Sequence, residues 1–336
     1  MSFIRRLAGN APPRILWSLG VLLALLLLAP ALLGKYWLSV LILILYFAYT
    51  GQAWNIMIGF AGQLSLGHAI YVGLGAYTAA ALYVHFGVAP WFGLLVAIPI
   101  TALTGAVMGF LAFRFRVAGV YFAILTIAFA EFARVGFDHF GWTNASSGLF
   151  LPVAQYARND VWQLRGHPVM FYYVLLTATV LAFVFCRALL KSRIGYFWLA
   201  IREDEEAARS VGIDVFHYKM IAVVISAAMT SFAGVVYAFY YNNLFPEQVF
   251  NISRSIDIIL GPIAGGVGTL FGPILGSFLI EILGEGLRSL LESFGIDVPG
   301  IKQVVFGAIL LLVVVAMPDG VWPWLARKLG LTEQQK

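Results

Sequence analysis

Long, continuous apolar runs dominate the sequence, and they restrict the fold more than any other feature. Several reach the roughly 20 residues that an α-helix needs to cross the hydrocarbon layer of a bilayer. They are continuous rather than alternating, which argues against a β-barrel. Charged residues make up only 11% of the 336 residues, whereas soluble domains carry roughly 25%. We therefore predict an all-α, polytopic integral membrane protein.

The apolar runs predict ten crossings or part-crossings, that is, about 8 to 10 transmembrane segments in a single domain over residues 1–336. Two of the later segments are short and interrupted by glycine. The first run lacks a good cleavage site at its end, so we treat it as a span and keep a cleaved signal peptide as the alternative. The predicted segments are residues 15–33, 37–57, 67–83, 91–113, 117–134, 168–186, 220–241, 256–264, 270–283 and 300–316.

The distribution of lysine and arginine predicts the orientation of these spans. With a cytoplasmic N-terminus, 14 of the 21 basic residues fall on the cytoplasmic side. The opposite orientation places only seven there, so the excess of positive charge in cytoplasmic loops decides between them. Both termini are then cytoplasmic. The net charge of +5 follows from this asymmetry and indicates no nucleic acid partner.

Residues 187–219 form the one long charged segment, with 11 of the 37 charged residues of the chain. Residues 200–211 contain good helix formers, with acidic residues early and Arg209 late, four positions after Glu205. Gly212 supplies a helix stop. On a helix, four small side chains would share one face suited to close docking, namely Ala200, Ala207, Ala208 and Val211. The alternative is a solvated helix that only joins two spans.

This segment resembles the cytoplasmic coupling loop of ABC importer permeases, and in detail the branched-chain amino acid permeases of the LivM type. The matching residues are 200–205, 207–208 and 212–213. The resemblance implies that residues 187–219 are a coupling loop that contacts an ATPase subunit. The residues it assigns to this contact are Ala200, Arg202, Glu203, Asp204, Glu205, Ala207, Ala208 and Gly212.

A glycine-rich stretch over residues 55–80 follows the second predicted span. Its glycines permit a helix break or close helix approach, and Gln63, Ser65 and His68 add polar groups near membrane depth. Irregular backbone at that depth persists only when it is buried in protein or lines a polar cavity. The alternative is tight packing through small residues. Residues 62–69 and 75–78 also resemble the LivM type. We predict that the stretch lines a solute path through Gln63, Ser65, Gly67, His68, Tyr77 and Thr78.

A second glycine-rich stretch lies at residues 255–276, where Pro262 and Pro273 are expected to interrupt any long helix. Two short helices that meet at a glycine turn fit this pattern, and Gly265, Gly266 and Gly268 are added to the predicted path. Paired interrupted segments, one in each half of a chain, mark central sites in transporters built from repeats. The two stretches therefore predict a weak internal repeat.

The chain departs from the LivM pattern in three places. Ala145 and Ser147 stand in the outer loop where the family has a turn rich in glycine and asparagine. Pro262 replaces an apolar residue, and Asp319, in the closing Met-Pro-Asp-Gly motif, replaces a basic or polar one. The outer-loop change puts the identity of the solute in question, because that loop faces the side from which solute arrives.

Other chemistry is absent or weak in the sequence. No Gly-x-x-x-x-Gly-Lys-Ser/Thr motif occurs, so any ATPase must be a separate chain. The single cysteine, Cys186, excludes a disulfide within the chain. Ser65 and His68 could meet on a helix as in a hydrolase, but no inward carboxylate accompanies them. An ion-coupled carrier is a further alternative, for which Glu281 and Glu131, both toward the ends of spans, are the acidic candidates.

The resemblance implies the permease subunit of an ATP-driven importer in a bacterial inner membrane. It carries branched-chain amino acids, with urea or short amides as the alternative. It implies a second related permease, two ATPase subunits that bind ATP and Mg²⁺, and a periplasmic or lipid-anchored solute-binding protein. No cofactor is expected in this chain, and no enzymatic activity.

Overall fold

The computed structural model describes residues 25–152, 159–294 and 317–328, together with residues 304, 307, 308, 311 and 315. The predicted span 300–316 and residues 15–24 of the first predicted span therefore lie largely outside the described residues. Residues 25–32 are helical. Six further helices are long and apolar enough to cross a membrane within the described ranges, so the prediction of a helical, polytopic membrane protein is confirmed.

Most of the helices follow one another with short connections, but residues 140–167 form a long one. A π-helical turn, Ile56–Phe60, extends α1, and one small antiparallel pair joins β1 (Leu149–Phe150) to β2 (Asn243–Leu244). In chain order the helices are α1 (Lys35–Asn55), α2 (Ala69–Phe86), α3 (Pro90–Arg114), α4 (Val120–His139), α5 (Pro168–Leu190), α6 (Arg193–Glu203), α7 (Glu205–Ser210), α8 (Val215–Tyr241), α9 (Pro246–Val249), α10 (Ile252–Gly265), α11 (Gly272–Ser293) and α12 (Val321–Lys328).

The connections alternate between two ends of the bundle. The end that carries residues 61–68, 191–214 and 266–271 is called the proximal end here, and the end with residues 87–89, 140–167 and 242–251 the distal end. Contacts between connections support this division. At the distal end Trp91 donates a hydrogen bond to the carbonyl of Val161 at 2.9 Å, and Leu149 pairs with Leu244.

Helix α8 lies at the centre and packs closely on α2. A Cβ at Gly234 would overlap the carbonyl oxygen of Val72, and one at Gly75 would overlap that of Ser231. Small residues thus let the two backbones approach, as is common between helices in membranes. By contrast, α3 and α4 bury only 28% and 22% of their most apolar windows. Their exposed apolar faces therefore point away from the bundle.

Helices α10 and α11 form a hairpin at the expected glycine turn, but two details differ from the prediction. Helix α11 is 22 residues long rather than short. Pro262 does not interrupt a helix, because α10 continues through it to Gly265. The proline ring is accommodated by Gly51 of α1, where a Cβ would stand 2.9 Å from Pro262 Cγ. Pro273 lies in the first turn of α11, where the missing N–H costs nothing.

Candidate functional site at the Arg202 junction

Helix α1 contacts the glycine turn of the α10–α11 hairpin through two amide side chains. Asn55 donates to the carbonyl of Thr269 at 2.9 Å and accepts from the backbone N–H of Gly268 at 2.8 Å. Gln52, one turn earlier, donates to the carbonyl of Leu270 at 2.6 Å. Hydrogen bonds in an apolar bundle are costly to lose, so these bonds hold residues 266–271 against the end of α1, although the Oε1 of Gln52 has no partner among the described residues.

Arg202, the penultimate residue of α6, joins the charged segment to this contact. Its Nη1 donates to the carbonyl of Gly59 at 2.6 Å, within the π-helical turn. A Cβ at Gly268 would lie 2.7 Å from Nη1, and one at Gly62 would lie 3.2 Å from the Cα of Arg202. The junction formed by Arg202, Gly59, Gly62 and Gly268 therefore brings both glycine-rich stretches against the charged segment.

Glycine is required at this junction for a physical reason. Gly62 and Gly268 have φ angles of 71° and 81°, a region that residues with a Cβ rarely adopt. Gly59 leaves no space for a side chain, because a Cβ there would overlap Asn55 Oδ1. Gly62 and Gly268 thus leave room for the Arg202 side chain, while Gly59 leaves room for Asn55 and the Gly268 nitrogen.

The charged segment is not the single helix that we predicted over residues 200–211. Asp204 has an extended conformation, with φ −155° and ψ 111°, which ends α6 and starts α7. Its carboxylate accepts from the N–H groups of Glu206 and Ala207, both at 2.9 Å. Aspartate is a favoured residue at a helix N-terminus because it satisfies these free donors, and here that preference outweighs helix propensity.

The break also changes which small residues are available for docking. Ala208 is buried, at 4% exposure, against Ile201 and Val215 of the same chain, so the prediction that it forms part of an outward docking face is wrong. Ala200 packs against the same cluster. Ala207 and Glu203 are exposed and stay candidates for contact with a partner, as does Gly212.

Glu205 anchors α7 to α8, because its carboxylate pairs with two basic side chains. Its Oε1 accepts from Arg209 at 2.9 Å, which confirms the predicted pairing four residues apart. Its Oε2 contacts the ammonium group of Lys219. Lys219 lies in the first turns of α8 with a nearly buried side chain. The charged segment is therefore held to α8 by Glu205 as well as to α1 at the Arg202 junction.

The polar residues of the first glycine-rich stretch form a buried hydrogen-bond chain. Ser65 Oγ lies 3.2 Å from His68 Nδ1, and His68 Nε2 lies 2.9 Å from Ser226 Oγ of α8. Ser226 donates in turn to the carbonyl of Ala53 at 2.7 Å. Ser65 and His68 have no exposed surface. The chain of bonds thus ties the segment before α2 to α8 and α1.

The other predicted path residues are also engaged within the protein. Gln63 donates to the carbonyl of Ala61 at 3.1 Å, and Gly67 lies against the main chain of Thr126. Tyr77 donates to the carbonyl of Leu244 at 3.0 Å, while Thr78 is half-buried. Gly265 and Gly266 lie against Gly272 and Pro323. Their assignment to a solute path stays a prediction.

Comparison with known proteins assigns the family. Residues 36–314 match the family described as "Branched-chain amino acid transport system / permease component". The chain belongs to this permease family. It is 29% identical over 334 residues to the high-affinity branched-chain amino acid transport system permease protein LivM of Escherichia coli, covering 92% of this chain and 76% of the relative. The LivM protein of Salmonella typhimurium is 28% identical, with 94% and 77% covered.

A more distant relative shares only part of the permease. The xylose transport system permease protein XylH of Escherichia coli is 30% identical over 162 residues, which cover 46% of this chain and 39% of that protein. No solved structure matches the chain. The matches to the family and to the two LivM proteins confirm, over most of the chain, the resemblance that residues 62–69 and 200–213 indicated.

Membership in the permease family argues against the alternative that Ser65 and His68 form a hydrolase site. The permease is a component of a transporter. Ser65 and His68 are within hydrogen-bond distance of each other, but the other ring nitrogen of His68, Nε2, contacts Ser226 and not a carboxylate. A serine nucleophile needs a base that a third group orients, together with access for a substrate. The described part of the permease also contains no group of three or more histidine, cysteine or acidic residues that could hold a metal ion.

Sequence reasoning missed the residues that hold the permease junction together. Asn55 and Gln52 were not selected, although two amide residues at the end of an apolar run are a sequence signal for a contact within the membrane. In the structure both side chains are fully buried. Lys219 was counted only as a cytoplasmic charge. Its partner across 14 residues, Glu205, becomes apparent only when the folded charged segment returns to α8.

Proposed function

We propose that this permease is a membrane subunit of an ATP-driven importer for branched-chain amino acids, and that separate ATPase subunits bind at its proximal end. The Arg202 junction is the observation that carries the proposal. A charged, largely exposed pair of short helices, α6 and α7, contacts both glycine-rich breaks of the membrane bundle through one side chain. A partner that moves α6 thereby moves the ends of α1 and the α10–α11 hairpin.

The proposed orientation in the membrane follows from the basic residues at the proximal end. On our proposal the proximal end is cytoplasmic, because residues 114, 116, 187, 191, 193, 202, 209 and 219 concentrate positive charge there. A cytoplasmic proximal end is where an ATP-hydrolysing partner can reach the charged segment. The remaining partners we propose are a second related permease and a solute-binding protein at the distal end, in a bacterial inner membrane.

The proposed solute class rests on the names of the relatives. Two LivM proteins that match over most of this chain are described as branched-chain amino acid permeases. An ion-coupled carrier is the rival mechanism. Uptake by vesicles that contain ATP but have no membrane potential separates the two, because ATP-driven transport continues there and ion-coupled transport stops.

Two experiments test which subunits assemble with this chain and on which side of the membrane the charged segment lies. The tagged full chain, purified in mild detergent, should bring with it an ABC ATPase and a second permease. A Ser210→Cys variant should react with an impermeant maleimide only from the cytoplasmic side, since Ser210 is exposed and the native Cys186 is buried. Reaction of the Ser210→Cys variant from the outer medium would overturn the proposal, because no ATPase could then reach the segment.

Replacement of Ala207 by tryptophan should uncouple ATP hydrolysis from uptake. Ala207 is exposed on α7, so a bulky ring there obstructs a docking partner without disturbing the bundle, and we expect uptake to fall by roughly ten-fold or more. Uptake and ATP hydrolysis are measured in vesicles. Arg114→Trp is the control, because Arg114 is exposed at the same end but outside the charged segment. Normal coupled uptake by Ala207→Trp would place the docking surface elsewhere.

A further inference from the structure

A cavity of about 310 Å³ lies toward the distal end, between α1, α5, α8, α10 and α11. None of the residues that the sequence assigned to a solute path lines it. Its walls combine apolar side chains, five tyrosines, and the charged side chains of Arg254, Glu285 and Arg288. Binding sites for small molecules have volumes of this order and place a few polar groups on a mainly apolar wall.

Tyr46 of α1 lines this cavity with a polar atom that has no partner. Its side chain is 5% exposed, and its buried hydroxyl makes no hydrogen bond among the described residues. A buried hydroxyl without a partner costs free energy comparable to a lost hydrogen bond, so such groups are uncommon in folded proteins. Several other buried polar atoms among the described residues also lack a partner, but Tyr46 is the one that lines this cavity, where a ligand could supply the missing bond.

The charges around the cavity are also incompletely paired. Arg254 donates from Nη2 to the Tyr237 hydroxyl at 3.1 Å and lies over the Tyr237 ring, with Cζ 4.8 Å from its centroid. Asp257, three residues further along α10, interacts electrostatically with Arg254 but is not within ion-pair distance of it in the described ranges. Glu285 contacts Arg288 only at 3.4 Å. The cavity therefore offers one cation and one carboxylate that can each accept a further partner.

We propose that this cavity binds the zwitterion of a small apolar α-amino acid, with its carboxylate at Arg254 and Tyr46 and its ammonium group at Glu285. Arginine pairs with carboxylates through charge-assisted hydrogen bonds, and ionisable residues at membrane depth generally mark a solute or ion path. Val40, Leu43 and Leu175 form the wall for the apolar side chain. The inference rests on the proposed function, which supplies the class of solute.

The cavity is connected to the Arg202 junction by the helices that line it. Arg254 lies on α10, whose other end is the glycine turn held by Asn55. Tyr46 lies on α1, which leads to Gly59 and its contact with Arg202. An amino acid held between Tyr46 and Arg254 thus contacts both helices that the charged segment reaches at the proximal end. Solute occupancy and movement of α6 would act on the same two elements.

Binding of radiolabelled L-leucine to the purified full-length chain in nanodiscs tests the site directly. We expect competition by unlabelled L-leucine, and much weaker competition by 4-methylpentanoate, which lacks the ammonium group, and by 3-methylbutylamine, which lacks the carboxylate. Arg254→Gln and Glu285→Gln should each lower the affinity for L-leucine roughly ten- to hundred-fold. Arg114→Gln, which removes an exposed guanidinium at the other end, should bind like the wild type.

Tyr46→Phe separates a ligand role from a structural one. Removing an unpartnered buried hydroxyl should raise the melting temperature of the ligand-free chain, since the desolvation cost is relieved. The same change should weaken L-leucine binding, because the ligand loses a donor. A variant that is more stable and binds less supports the site. Unchanged L-leucine affinity in Tyr46→Phe, Arg254→Gln and Glu285→Gln would overturn it.

Uptake measurements distinguish failure of the site from failure of the proposed function. If vesicles show ATP-dependent L-leucine uptake that Arg254→Gln and Glu285→Gln leave intact, the cavity is not on the solute path and the importer assignment stands. If no amino acid is taken up but L-leucine still binds with the expected sensitivity to both variants, the site is supported and the importer assignment falls. Absence of L-leucine binding to the wild-type chain overturns the site in either case.

Discussion

Replacement of Arg202 by alanine is expected to reduce ATP-dependent uptake roughly ten- to hundred-fold, while the chain still accumulates in the membrane. The guanidinium donates to the Gly59 carbonyl at 2.6 Å, and a hydrogen bond from a charged donor contributes about 1.5–3 kcal/mol, which corresponds to that range. Its loss separates α6 from the ends of α1 and of the α10–α11 hairpin. Uptake and ATP hydrolysis are measured on the same vesicles, and hydrolysis should persist.

Two matched variants isolate the contribution of this contact. Arg202→Lys keeps the positive charge but loses the planar fork that serves Gly59 and Glu203 together, so we expect partial loss of uptake. Glu203→Gln tests the neighbouring charge, because Glu203 touches Arg202 while 73% of its own side chain is exposed. Because Glu203 stays a candidate for contact with an ATPase partner, we expect this variant to lose some uptake, but less than Arg202→Ala. Equal activity of Arg202→Ala and Glu203→Gln would show that the junction does not transmit motion.

Replacement of Gly276 by alanine is expected to prevent correct assembly of the α10–α11 hairpin. A Cβ at Gly276 would overlap the carbonyl oxygen of Gly261 across the hairpin, and Gly265 and Gly272 are in equally close contact beside it. Backbone atoms cannot yield as a flexible side chain can, so we expect a loss of about 3 kcal/mol or more. The measurements are membrane accumulation and the melting temperature of the purified chain.

Gly286 provides the control on the same helix. A Cβ at Gly286 would meet no atom within 4 Å, and alanine is favoured over glycine in a helix by about 1 kcal/mol. Gly286→Ala should therefore accumulate at least as well as the wild type. A normal melting temperature for Gly276→Ala would mean that α10 and α11 do not pack as closely as described, and the position of the glycine turn beside Arg202 would have to be revised.

Part of the candidate site could be predicted from the sequence. The charged segment, Arg202 within it and the two glycine-rich stretches were all selected from composition and from resemblance to the LivM type. What could not be predicted was their convergence. Arg202 and Gly59 are 143 residues apart, and no periodicity along the chain indicates which main-chain carbonyl a given guanidinium reaches.

The cavity near the distal end could not be predicted from the sequence. Glycine and small polar residues predict a solute path at residues 63–78 and 265–268, and that assignment stays a prediction, but none of these residues lines the cavity near the distal end. The cavity is instead lined by tyrosines and by charges of α10 and α11, which read as ordinary helix residues along the chain. A cavity is the space left between packed helices, so it depends on how faces meet and not on the composition of one segment.

The sequence by itself determined the helical membrane class, most of the spans, the glycine turn of the α10–α11 hairpin and the family. These follow from local quantities, namely the length of apolar runs, the positions of glycine and proline, and the residues that match the LivM type. Only the tertiary structure decided that Asp204 splits the charged segment, that Ala208 faces inward, and that Arg202 links both glycine-rich stretches. The Asp204 break and the burial of Ala208 depend on which of several competing local contacts forms, whereas the Arg202 contact joins residues 143 positions apart, and neither outcome is settled until the helices pack.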